Sequence, residues 1–339
     1  MNLTKRIVLR LVRANQPLLI IFLLAYTFLL RSYQLMYPIQ WKASDSNLLS
    51  NFLYEYISYN SFGASIFAMI LVFIQGLMVN GIVKRYKMTK NSGYVPAMLY
   101  ILFASFIPEF LYLSPVLLAN TFGIIAIFQM FRWYRNYEAA SEIFNVGFWL
   151  AIGSMFDFSL SAFYFLALVG LSNLRSFKSN EIVILTIGFI VPYFLVGVGQ
   201  FWFDQFDSFW NELVLANFSF FDVVIENTAL TYLKLIVYVV VVLWIFLQSQ
   251  QYYFKTSIQV QKNINVLLFS IFISLLSIIY VTSYSLENLI YLAFPIAFFT
   301  ALNLLNAKKT AVAEVIHLLL IATLFSFQYK EYIIDVFTK

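Results

Sequence analysis

The sequence predicts an all-α fold that crosses a membrane many times, and three observations carry that prediction. Of its 339 residues, 62% are hydrophobic and 11% are charged, and the mean hydropathy is +0.83; no water-soluble core needs such a balance. Apolar runs of about 15–23 residues recur, a length that suits membrane helices rather than barrel strands. Lys and Arg gather in alternate connections between the runs, as the positive-inside rule requires.

Taken in order, the runs are eleven: 16–30, 62–83, 93–113, 115–131, 141–156, 159–174, 181–202, 229–248, 264–283, 288–304 and 311–327. Before the first, residues 3–12 have the pattern of a basic amphipathic helix, with Lys5, Arg6, Arg10 and Arg13 suited to anionic headgroups. A basic start followed by an apolar run, with no small-x-small cleavage site, predicts a retained signal anchor. Residues 1–15 are thus expected in the cytoplasm, and an odd number of spans puts the C-terminus in the periplasm. The inner connections then hold Lys84, Arg85, Lys87, Lys90, Arg132, Arg135, Arg175, Lys178, Lys255, Lys262, Lys308 and Lys309. Arg31, Lys42, Lys234, Lys330 and Lys339 fall at the outer side.

The acids lean the other way. Asp45, Glu55, Asp204, Asp207, Glu212, Asp222, Glu226, Glu287, Glu331 and Asp335 are assigned outside, and Glu138, Glu142, Glu181 and Glu314 inside. Two outer loops are long. In the first, SNLLSNFLYEYISYN places Leu48, Leu49, Phe52, Leu53, Tyr56 and Ile57 at helical spacing, as in a helix lying on the membrane surface. The second, 203–228, interleaves aromatic residues with acids. With no repeat, low-complexity linker or soluble domain, residues 1–339 form one membrane domain.

Glu109 stands between two prolines in IPEFLYLSP. At about 15 residues into the third run it is expected in the outer third of the bilayer, roughly 22 Å along a helix. A carboxylate there either faces a polar cavity or partner, or reaches interfacial water. Asp157, in GSMFDFSLS, either caps the sixth run or belongs to a site, and Asp45 carries the same two readings. Lys234 either snorkels outward or holds a phosphate near the outer leaflet. Gln75, Asn80, Asn120, Asn145 and Asn303 suit bonds between helices, and His317 suits either packing or a proton relay.

The sequence has no cysteine and one histidine, which excludes disulfides and thiolate metal sites. It has no phosphate-binding Gly-Lys-Ser/Thr loop, no HExxH, no arginine series of a voltage sensor and no glycine filter motif, and nothing in it points to nucleic acid.

Across 16–202 the layout resembles the seven-helix membrane module of the C-type glycosyltransferase superfamily, which uses polyprenyl-phosphate sugar donors. The likeness lies in an outer loop with an acid and a surface helix (Asp45, SNLLSNFLYEYI), the basic inner turn KRYKMTK, a span ending LYLSP, a fourth span closing on FRWYR, and GFWLAIGSMFDFS. Residues 203–228 are then an outer loop and 229–339 a C-terminal four-helix part. The resemblance implies Asp45 as general base on the acceptor, with Glu109 and Asp157 as supporting acids. Arg31, Lys42 and Lys234 would meet the lipid phosphate. The only cofactor it brings into view is a divalent cation. The chain departs from the family in reading SDS where many members carry paired acids, and in lacking a soluble C-terminal domain for the acceptor. Its Tyr-, Lys-, Ile- and Asn-rich style also resembles multi-pass proteins of the Bacteroidota, which implies the inner membrane.

The expected function is transfer of a sugar from a polyprenyl-phosphate donor to an acceptor at the periplasmic face. The alternative is a non-catalytic subunit of a larger envelope or protein-transport assembly, with other membrane subunits as partners. A transporter comes third, since it needs a continuous polar path for which His317, Asn303 and Asn80 are the hints.

Overall fold

The computed structural model describes residues 18–36, 49, 53, 61–89, 93–176, 178–210, 229–253, 256–279, 286–307 and 309–329. The basic N-terminal segment, Asp45 and Lys42 with most of the first outer loop, and most of the second outer loop lie outside the described residues.

Among the described residues all regular structure is helical. The principal helices are α1 (Leu19–Leu30), α2 (Ser61–Arg85), α3 (Val95–Phe103), α4 (Pro115–Phe131), α5 (Ala140–Phe156), α6 (Phe163–Leu174), α7 (Ser179–Trp202), α8 (Ala229–Tyr253), α9 (Ile258–Ile279), α10 (Ala293–Leu305) and α11 (Thr310–Gln328). Short 3₁₀ turns, Pro108–Phe110, Phe158–Ala162 and Leu286–Leu292, precede α4, α6 and α10. Five stretches are long and apolar enough to cross a membrane: α2, α7, Ile258–Ser277, Leu286–Leu305 and Ala311–Gln328. Each expected apolar run contains a helix, and several of the others are shorter apolar segments packed among these five.

The third run departs from a single helix. Pro108 lacks a backbone donor and drives Ile107 to extended geometry (φ −119°, ψ 152°), and Ser114 before Pro115 is extended in the same way (φ −112°, ψ 157°). The helix therefore stops at Phe103, and Glu109 sits in the 3₁₀ turn rather than inside a continuous span. Ser114 then caps α4, its Oγ accepting from the Leu117 N–H at 3.1 Å. All nine residues of α3 are buried, chiefly against α2 and α10.

The outward faces are apolar. Along α7, Val183, Ile187, Ile190, Phe194 and Val198 recur every three or four residues and are all exposed. A stripe of this size on a helix more than thirty ångströms long is a lipid-facing surface. On the opposite side α7 crosses α5 with backbones nearly touching: a Cβ on Gly147 would stand 2.3 Å from the Leu185 carbonyl oxygen, and one on Gly188 2.3 Å from that of Phe144. Inside the bundle, Gln75 donates to Leu117 O (2.9 Å) and Thr121 Oγ1 (2.7 Å), while Tyr100 donates to Gln75 Oε1 (2.7 Å) and accepts from Asn120 (2.8 Å). These bonds tie α2, α3 and α4 together. Tyr26 and His317 (3.1 Å) join α1 to α11.

Because successive helices reverse direction, their ends form two groups. At one end Gln328 donates to Leu30 O (3.1 Å) and Ser105 O (2.8 Å), so α1, α3 and α11 finish side by side. At the other, Asn173 donates to Lys262 O (3.0 Å) and Arg175 to Trp133 O (3.3 Å) and Asn136 O, which gathers the end of α4, the end of α6 and the start of α9. Glu109, Asp157 and Glu287 belong to the first end, and Arg135, Arg175, Lys178 and Lys262 to the second.

Candidate functional site

The acidic end is assembled from three chain breaks. The proline-bounded turn after α3 presents Glu109, the sharp link between α5 and the next 3₁₀ turn presents Asp157, and the 3₁₀ turn before α10 presents Glu287. Each carboxylate therefore stands where a helix has been interrupted and polar main-chain groups are already in use, the kind of place where a membrane protein tolerates charge.

Glu109 pairs with Lys234 of α8 through Oε1. The lysine is buried, the carboxylate side chain is 29% exposed, and Glu109 Oε2 has no partner among the described residues. One turn further along α8, Tyr238 is buried within electrostatic reach of Glu109, its ring edge-on to Phe106 and Phe110 and its hydroxyl unpartnered among the described residues. Asp157 accepts from Ser159 Oγ and, at 2.6 Å, from Tyr291 Oη across the bundle, so it does more than terminate α5. Burial pushes the Asp157 carboxyl above its ordinary range, and the hydrogen bonds from Ser159 and Tyr291 oppose that shift. Glu287, also buried, has the Ser114 hydroxyl as its donor and feels the charges of both Asp157 and Glu109.

Of the residues selected from sequence, the structure thus brings Glu109, Asp157 and Lys234 to one end of the bundle. Asp45 and Lys42 lie outside the described residues. Arg31 is at the same end but faces inward: Nη2 donates to Phe110 O (2.7 Å) and Leu111 O (2.6 Å), and Nη1 to Ala104 O (3.3 Å) and Ser105 Oγ (3.4 Å). It is fully buried and serves as a staple for the non-helical stretch that carries Glu109. Sequence reasoning missed Glu287, Tyr238 and Tyr291. Glu287 gave the signal that singled out Glu109, a carboxylate beside an apolar run, and Tyr238 follows Lys234 at helical spacing.

Chemically, the cluster offers carboxylates in unlike settings, one ion-paired and two hydrogen-bonded, beside a buried ammonium. Among the described residues no three histidine or acidic side chains stand close enough to share a metal ion. Comparisons with protein-family models, with curated proteins and with solved structures find no match.

Proposed function

We propose that this is a multi-pass protein of a bacterial inner membrane, with about eleven spans, a cytoplasmic N-terminus and a periplasmic C-terminus, that transfers a sugar from a polyprenyl-phosphate donor at its acidic, periplasmic end. The observation that supports this reading is that Glu287 lies within electrostatic reach of both Glu109 and Asp157 while Lys234 pairs with Glu109, which draws on four separate parts of the chain. In the reaction a carboxylate takes the proton of an acceptor hydroxyl as that oxygen bonds to the anomeric carbon. The bond from that carbon to the phosphate oxygen breaks, and the electron pair leaves with the polyprenyl phosphate. Asp45 takes the base role, with Asp157 and Glu109 orienting the acceptor. Lys234 exchanges Glu109 for a phosphate oxygen of the donor, so the ion pair is the resting state of the phosphate site.

The test is transfer itself. The full chain is reconstituted in liposomes with radiolabelled polyprenyl-phosphate hexoses and pentoses and a periplasmic extract as acceptor source, and label is followed from the lipid phase to the aqueous or protein fraction. Asp45→Asn is expected to lower transfer by about 100-fold or more, with insertion unchanged. No transfer from any donor of the panel overturns the reading.

A second reading, a non-catalytic subunit of an envelope assembly, is favoured by one observation: Arg31 is engaged by main-chain carbonyls and Lys234 by Glu109. It predicts stoichiometric partners after gentle extraction and no dependence on donor lipid.

A further inference from the structure

The opposite end of the bundle holds a cavity of about 430 Å³ that the transferase reading does not use. Its wall is cationic. Arg135, Arg175, Lys178 and Lys262 all line it, with Tyr134 and Tyr137 between them. They come from three separate places: the turn after α4, the link from α6 to α7, and the second turn of α9.

The four cations are not equivalent. Arg175 is fixed and neutralised. Its Nε and Nη2 fork onto Glu181, the latter at 2.7 Å, and its Nη1 holds the carbonyls of Trp133 and Asn136. It is the frame of the cavity rather than its charge. Arg135 and Lys262 both lie over the Tyr134 ring, at 5.4 and 5.6 Å from its centre, so one aromatic ring engages two positive groups. Arg135 takes a left-handed backbone conformation (φ 55°) that is unusual for a residue with a side chain. Neither these two nor Lys178 is paired with a carboxylate among the described residues; at this end Glu181 pairs with Arg175 and Glu142 with Arg132 (3.1 Å), while Glu138 is exposed just beyond Tyr137. Besides Arg175, three positive charges thus line one cavity that no carboxylate lines among the described residues. Like charges held together raise the energy of the empty site, and a multiply charged anion relieves that.

We infer that this cavity binds a phosphate group, through Arg135, Lys178 and Lys262, at the end of the bundle opposite the carboxylates. Phosphate suits the site because it spreads negative charge over several oxygens that three cations can share. Its chemistry fits both an anionic phospholipid headgroup and a soluble phosphate.

The test uses the full chain in neutral detergent, with thermal unfolding read from tryptophan fluorescence, Trp133 being buried under this turn. The probes are inorganic phosphate, phosphatidylglycerol and phosphatidylcholine, at fixed ionic strength with chloride as reference. The variants are Lys178→Gln/Lys262→Gln, the charge-keeping Lys178→Arg/Lys262→Arg, and Lys309→Gln as a control elsewhere on the surface. Stabilisation by phosphate or phosphatidylglycerol that weakens at least tenfold in apparent affinity in the Gln pair, and persists in the Arg pair and the control, is the expected result. A response to phosphatidylglycerol alone identifies a lipid site, and a response to both identifies a site open to soluble phosphate. Equal stabilisation by chloride or phosphatidylcholine, or an unchanged response in the Gln pair, overturns the inference. Lys178 is exposed and Lys262 half-buried, so both variants are expected to elute as folded protein, and their elution profiles and melting temperatures without added anion separate loss of the response from loss of the fold.

Discussion

Lys234 and Glu109 form an ion pair that ties the start of α8 to a 3₁₀ turn 125 residues earlier. The lysine is almost wholly buried, whereas the glutamate retains 29% of its side-chain exposure, so the two partners are not equally costly to strand. Glu109→Gln leaves an ammonium without a counter-charge and is expected to destabilise by about 3 kcal/mol. Glu109→Gln/Lys234→Met removes both charges and recovers most of that loss. A double-mutant cycle of thermal unfolding measures the coupling; additive losses would show that the pair contributes nothing.

Arg31 is expected to act through the backbone. With its fork on Phe110 O and Leu111 O, replacement by Lys cannot reproduce two parallel donors, and a stranded buried carbonyl costs about 1–3 kcal/mol. Arg31→Lys should therefore unfold at clearly lower temperature than the wild type. Wild-type stability in that variant would assign Arg31 a role toward a ligand.

Asp157 gives a pH dependence with a defined sign. Burial raises its folded-state pKa above the ordinary value of 3.8, so the folded form holds this proton more tightly than the unfolded one. The contribution is fully present below the unfolded pKa and is lost as pH rises through the folded pKa. Asp157→Asn lacks that titration, so its stability relative to wild type should improve as pH climbs from about 4 toward neutrality. Parallel pH profiles of melting temperature would reject the assignment.

The close crossing of α5 and α7 predicts that Gly188→Ala and Gly147→Ala each cost about 1–3 kcal/mol, because the new methyl meets main-chain atoms that cannot rotate away. Gly199→Ala, further along α7 and open on all sides, should be neutral or slightly stabilising. Equal melting temperatures for all three would remove the crossing from the account.

The absence of native cysteine allows the orientation to be read directly. In intact cells a membrane-impermeant maleimide is expected to label Gln205→Cys and to leave Tyr137→Cys unlabelled until the cells are permeabilised. Both positions are exposed. The reverse pattern would invert the topology and exchange the faces of the two sites.

The helical class was legible because composition and run length leave no other fold for such a chain. Helix positions followed from where polar residues interrupt apolar ones. The fate of the third run was harder to read: Pro108 and Pro115 were visible, but whether proline kinks a span or ends it depends on what satisfies the released carbonyls, here Arg31 from another helix. Glu109 and Asp157 were recognisable as charges in apolar surroundings. That Lys234 meets Glu109 and Tyr291 meets Asp157 was not, since those pairings are set by packing between segments more than a hundred residues apart.

The burial of α3 on every side bears on how the protein is made. Nine residues rise roughly 14 Å along a helix, about half of a bilayer core of about 30 Å, and the turn that follows carries the Ser105 carbonyl, which Gln328 of α11 holds in the finished bundle and lipid cannot satisfy. Part of the wall that hides α3 is α10, which emerges from the ribosome only after more than four-fifths of the chain has been synthesised. Until then α3 and its turn stay as an unfinished core at membrane depth, dependent on the insertion machinery for cover. Assembly of this bundle is therefore completed late and from the C-terminal side, and a nascent chain halted before Leu286 would present that open seam to membrane proteases.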